Sequence, residues 1–231
     1  GKQGQMTGRS IAAGSIWMYH KSGGKGLEVR ERLHGKVSQK NIAEPAFSPD
    51  GRYVYYALDG TSGSRWQYNK NAVGEVYEVR RWDLQTAEEE TIIQGAGGAI
   101  RPTPSHDGKQ LAFVKRIDQQ TALYVKDLKS GIEREVYLGL DRDLQETSGE
   151  HGNTTAYAWT PDDKKLVFWA GGIFHSVDVS DNTVTDIPVH LKVEKKISPA
   201  LRFAVDVAPD TFKVKMARWT QISPDGKNIL F

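Results

Sequence analysis

Ser48-Pro49-Asp50-Gly51-Arg52 runs directly into Tyr53-Val54-Tyr55-Tyr56, and this succession of a tight turn and a β-rich run decides the fold. The same grammar returns three times: Ser105-His106-Asp107-Gly108-Lys109 before Leu111-Ala112-Phe113-Val114, Thr160-Pro161-Asp162-Asp163-Lys164 before Leu166-Val167-Phe168-Trp169, and Ser223-Pro224-Asp225-Gly226-Lys227 before Ile229-Leu230-Phe231. Proline at the second turn position presets φ near −65°, Asp at the third bonds its own backbone, and Gly at the fourth accepts the positive φ that returns the chain to its strand. Asp163 stands where the other copies have Gly, and an Asp tolerates the left-handed region better than most residues do.

The copies begin at 48, 105, 160 and 223, so the units are 57, 55 and 63 residues long. A propeller blade of four strands needs about 40 to 50 residues, so each unit holds a blade plus an insertion. A second marker recurs as an alternating strand that ends in Asp and an apolar residue: Val79 to Leu84, Leu123 to Leu128, Phe174 to Val179. It reads as the third strand of each blade. The distances between turn and Asp place insertions near 58–74, 139–152 and 192–213. The expected fold is all-β, a β-propeller of four-stranded antiparallel blades, about four in this chain: a half blade at 1–40, blades at 41–97, 98–140 and 153–191, and a half blade at 214–231. The cuts fall within blades at both ends and the sequence begins at Gly1 without a start residue or export signal, so the chain is expected to be a piece of a longer protein from which any targeting segment is removed. Exposed blade edges template pairing, so the ends are expected to close on each other or on a second copy.

Composition narrows the function classes. Hydrophobic content of 38% with 23 glycines suits a turn-rich β protein, and no run approaches the ~18 apolar residues of a membrane helix. The 31 basic and 29 acidic residues are mixed along the chain, which leaves no footprint for nucleic acid. With zero cysteines there is no disulfide, zinc-thiolate or thiol chemistry.

Catalytic motifs are missing. There is no His-x-His or His-Glu-x-x-His, and the six histidines lie 14 or more residues apart. Gly60-Thr61-Ser62-Gly63-Ser64 fails as a nucleophile elbow, and no Gly-Lys pair is followed by Ser or Thr as a phosphate loop requires. No catalytic, cofactor or metal residue is therefore assigned. The insertion at 58–74 presents Trp66, Tyr68, Asn69 and Asn71, an amphipathic set suited either to a partner or to a neighbouring blade. Arg101 and His151 sit beside turns where propeller loops gather and complete the candidate partner-binding residues. The acidic stretch 140–146 could hold a hard cation, but lacks the EF-hand spacing and its Gly, so it reads as a solvated loop. The tryptophans read as packing between blades.

The Ser-Pro-Asp-Gly-Lys turn with its Asp-Leu third strand resembles the WD40-like repeats of the TolB propeller family; the Gly-His and Trp-Asp signature of true WD40 is not repeated here. Longer stretches are similar to the propeller region of large bacterial amidohydrolase-family proteins: Trp66-Gln67-Tyr68-Asn69-Lys70-Asn71, Gly97 to Ser105, Ala158 to Asp162 with Val167 to Gly172, and Val207 to Phe212. The sequence departs from that pattern at His106, where Pro is typical, and at Asp163. The resemblance implies a non-catalytic scaffold or substrate-gating module of a periplasmic or secreted bacterial hydrolase. Its divalent metal would belong to a separate catalytic domain, and its partners would be that domain or a second copy of the chain. Two rivals remain open: a stand-alone TolB-type propeller that binds proteins or peptides, and the lid propeller of a serine peptidase.

Overall fold

The structure is a computed structural model that describes residues 15–30, 42–60, 77–141, 156–198, 206–211, 213, 216 and 218–230. Every regular element among them is a strand. The chain divides into two compact units, Gly1–His190 and Leu191–Phe231.

In the first unit, β1 (Ile16–Met18) and β2 (Leu27–Arg30) form a two-stranded sheet. Three four-stranded antiparallel meanders follow. The first sheet comprises β3 (Ile42–Phe47), β4 (Tyr53–Asp59), β5 (Tyr77–Asp83) and β6 (Glu89–Ile93). The second comprises β7 (Ile100–Pro104), β8 (Gln110–Ile117), β9 (Gln120–Asp127) and β10 (Glu133–Leu140). The third comprises β11 (Tyr157–Trp159), β12 (Lys165–Ala170), β13 (Ile173–Asp178) and β14 (Val184–Ile187). In the second unit, β15 (Gln221–Ile222) pairs with β16 (Ile229–Leu230).

Each turn is held by the same bonds. Ser48 Oγ donates to Asp50 Oδ1 at 2.5 Å and accepts the Tyr53 N–H at 2.8 Å, while the Gly51 N–H reaches the Ser48 carbonyl at 2.9 Å. Ser105, Thr160 and Ser223 repeat the set with Asp107, Asp162 and Asp225. Gly51, Gly108 and Gly226 have φ of 71°, 70° and 71°, and Asp163 takes the same region at 56°. A backbone N–H and a hydroxyl donated to each turn carboxylate favour its charged form. The Lys109 N–H and the Ser105 hydroxyl hold Asp107 down to about 2.

The third-strand aspartates close a second recurrent turn. Asp83, Asp127 and Asp178 each accept backbone N–H groups two or three residues ahead, and the residue four places on, Ala87, Gly131 and Asn182, is left-handed. The next residue then bonds back to the first turn: the N–H of Leu84, Leu128 and Val179 reaches the carbonyl of Arg52, Lys109 and Lys164, each at 2.9 Å. The two sequence markers therefore lie side by side at one end of each four-stranded sheet.

Strand alternation then builds the core between sheets. Val54 and Tyr56 face β1 and β2, where Ile16 joins them, whereas Tyr55 and Ala57 face the second sheet. Leu111 and Phe113 look back to the first sheet, Ala112 and Val114 forward to the third, and Leu166 and Phe168 back to the second. Burying each of the larger aliphatic and Phe side chains contributes about 1.5–3 kcal/mol, and each alanine methyl less. On the far face of the third sheet the pattern changes. Trp169, nine residues after Thr160 as Ala57 and Val114 are after Ser48 and Ser105, is 40% exposed, and Phe174 is 44% exposed. Trp17 and Trp219 are exposed as well, so the expectation of inter-blade packing holds for Trp82 and Trp159 and fails for these three. Trp66 lies outside the described residues.

Candidate binding site on the first strands

Four residues before the turn Ser, the backbone does something the local sequence does not advertise. Glu44, Arg101 and Trp219 occupy this position, and their φ values are 57°, 55° and 53°. At two of them the ladder slips: β3–β4 between Ala43 and Ala46, β7–β8 between Ile100 and Thr103. Pro45 and Pro102 are the next residues, and a proline has no N–H for the ladder, so it settles at a bulge. The third copy has Ala156-Tyr157 instead, and β11 pairs with β12 without a slip.

A left-handed non-glycine residue costs about 1–2 kcal/mol, so surrounding bonds must hold it. The Arg101 N–H donates to Glu44 Oε2 at 2.8 Å, and Arg101 Nε lies 3.3 Å from Glu44 Oε1. From the other side, the Tyr157 hydroxyl donates to the Arg101 carbonyl, and Trp159 Nε1 donates to the Thr103 carbonyl at 2.9 Å. Burial pushes the Tyr157 hydroxyl well above its ordinary range, which keeps it a donor. The sheets thus meet along β3, β7 and β11.

Arg101 differs from the other paired arginines. Arg30 Nε bonds Glu89 at 2.8 Å, Arg52 holds Asp83 through two nitrogens, Arg81 bonds Glu90 at 2.5 Å, and Arg80 bonds both Glu78 and Glu89. The three bonds from Arg30, Tyr56 and Arg80 outweigh burial and lower the Glu89 carboxyl. Arg101 Nε, by contrast, is buried with no hydrogen bond. Its side chain is 21% exposed. A groove of about 260 Å³ between the first two turns, lined by Pro49, Tyr53, Gly108 and Leu128, offers no such group, since its Arg81 is spent on Glu90.

Of the sequence-selected residues, Arg101 sits within β7, the strand that leads into the turn at Ser105. Trp66, Tyr68, Asn69, Asn71 and His151 lie outside the described residues, as does most of 140–146; Asp141 accepts the Gly171 N–H at 2.7 Å. The turn residues Pro49, Asp50, Gly51, Asp107, Gly108, Pro161, Asp162, Pro224, Asp225 and Gly226 occupy the four turns. Among the described residues, no group of three or more His, Asp or Glu side chains is placed to hold a metal. Sequence reading missed Glu44 and Tyr157. The signal that could have found Glu44 was the recurrence of Pro three residues before the turn Ser, at 45 and 102.

No protein-family model matches the chain. Among curated proteins, the Tol-Pal system protein TolB of Chromobacterium violaceum is 25% identical over a 141-residue alignment that covers 55% of this chain and 32% of that protein. The crystal structure of TolB from Acinetobacter baumannii is 20% identical, with a TM-score of 0.54 over 93% of this chain and 42% of that one. A putative TolB from Agrobacterium tumefaciens is 15% identical, with a TM-score of 0.50 over 75% and 56%, and the tricorn protease is 13% identical, with 0.54 over 81% and 20%. The chain spans less than half the length of the two TolB proteins named first. With its successive four-stranded antiparallel sheets, the chain has the fold of a TolB-like β-propeller.

Proposed function

We propose that this chain is a non-catalytic propeller module that scaffolds or gates access within a larger, exported amidohydrolase-like hydrolase whose divalent metal belongs to a separate catalytic domain. The observation that carries the reading is the strained pair Glu44 and Arg101 on adjoining first strands. Left-handed non-glycine residues persist where surrounding structure over-determines them, and they concentrate at binding and switch sites. A salt-bridged Glu and Arg with a tyrosine donor behind them can orient a passing ligand but offer no nucleophile and base pair for chemistry. The long stretches around 66–71, 97–105 and 158–172 support the amidohydrolase parent. Similarity to two TolB proteins supports a second reading, a stand-alone periplasmic propeller that uses the same strands to bind a peptide or protein. Both readings predict that the purified chain, given zinc and a panel of amide and ester substrates, produces no turnover. Turnover that follows this chain through purification would refute both.

A further inference from the structure

Resting on that binding role, we infer that Arg101 is a carboxylate-binding position, its guanidinium held at the junction of β3, β7 and β11 with its outer nitrogens left for the carboxylate of a peptide ligand. Three observations carry this. The residue is fixed from both neighbouring sheets, through its N–H to Glu44 and its carbonyl to Tyr157. Its one described ion pair runs through Nε at 3.3 Å, longer than the pairs of Arg30, Arg52, Arg80 and Arg81. Among the described residues its two Nη atoms donate no hydrogen bond; its contacts with Glu44 run through the backbone N–H and Nε. A guanidinium presents five donors in a planar fork, and its Nη edge matches a carboxylate bidentately while Nε stays with Glu44. The strained backbone gives the reason for the location: the left-handed turn at Arg101 re-aims a side chain that an unbroken ladder would alternate away.

The carboxylate could come from a chain terminus or from an acidic side chain, and three probes separate these sources. The first is N-acetyl-tetraglycine with a free acid, the second the same peptide amidated, and the third an N-acetylated, C-amidated peptide with one central Glu. The arginine Nε–H resonance of Arg101 in labelled protein reads binding at the site itself. Arg101→Asn keeps a residue that tolerates the left-handed region, and an unchanged melting temperature confirms its fold. We expect at least one carboxylate probe to shift the Arg101 signal, to bind about tenfold or more tighter than the amidated tetraglycine, and to weaken by about tenfold or more in Arg101→Asn, which corresponds to about 1.4 kcal/mol. Response to the free acid alone assigns the chain terminus; response to the Glu probe assigns the side chain. Equal binding by the amidated control, equal binding by Arg101→Asn, or no shift with either carboxylate at tens of millimolar would overturn the inference. Each of these results leaves the test for turnover untouched, so the two claims fail separately.

Discussion

His106 and Asp163, the two departures from the turn pattern, are one device. The Asp163 carboxylate accepts the His106 N–H at 2.8 Å and the Asp107 N–H at 2.9 Å, and its Oδ1 lies 2.7 Å from His106 Nδ1. A proline at 106 would have no N–H to give. At the preceding junction the same two positions hold Pro49 and Gly108, and a Cβ on that glycine would lie 3.7 Å from Pro49. The chain therefore uses a proline–glycine contact at one junction and a His–Asp clasp at the next. His106→Pro removes the ring and one backbone donor. Hydrogen bonds to a charged acceptor contribute about 1.5–3 kcal/mol; with the His106 side chain 60% exposed, the low end applies. Proline's restriction of the unfolded chain returns about 0.4–1 kcal/mol, so His106→Pro alone should destabilise by about 1 kcal/mol. Asp163→Gly loses the clasp but relieves about 1 kcal/mol of left-handed strain. In the Asp163→Gly background, His106→Pro should be neutral or stabilising, a coupling of about 1–2 kcal/mol. Urea midpoints of the four proteins at neutral pH measure it. Additivity within about 0.5 kcal/mol, the ordinary result for independent sites, would refute the clasp.

Gly97 has a φ of 86°, and a Cβ there would sit 2.0 Å from the Arg116 carbonyl oxygen; Gly97→Ala should cost more than about 2 kcal/mol, whereas Gly131→Ala, with open space around it, should pay only the backbone strain of about 1 kcal/mol in the same denaturation series. Ser105 is fully buried and serves both the Asp107 carboxylate and the Gln110 N–H, so Ser105→Ala should destabilise by about 1–3 kcal/mol, and an unchanged midpoint would remove the hydroxyl from the account. The carboxyls of Asp50, Asp83, Asp107, Asp127, Asp162 and Asp178 lie below their ordinary range chiefly through bonds from the turn residues and Arg52; at Asp163 burial is the largest influence and opposes, but the bonds from His106 and Asp107 together outweigh it. Groups depressed in the folded state contribute stability above their unfolded value of 3.8 and lose it as pH falls through the folded values. Melting temperature should thus fall between about pH 4 and pH 2; a flat profile across that window would contradict the turn network.

The array was legible because its turns are written in residue types that act locally. Ser, Pro, Asp and Gly define a turn within five residues, and the alternation in Leu111-Ala112-Phe113-Val114 states which side chains face which neighbour. What was not legible depends on contacts between units. Pro102 beside Arg101 repeats Pro45 beside Glu44, but nothing local announces that Arg101 meets Glu44 and Tyr157, which lie 57 and 56 residues away in the chain. The clasp was visible only as two separate exceptions. The left-handed residues at 87, 131 and 182 escaped because Ala, Gly and Asn share no identity, only a distance from the preceding Asp. Trp169 was misjudged because its strand repeats the pattern of β4 and β8 while the sheet that covers those strands has no counterpart within the first unit.

The most direct test of the proposed role is the native reading frame that encodes this chain, read through both ends. The account predicts that the frame continues beyond the codon for Phe231 into a region carrying His-x-His within strand–helix alternation. A frame that completes the propeller and then stops would contradict the amidohydrolase parent and leave the stand-alone binding propeller; a nucleophile elbow in its place would make the chain a peptidase lid.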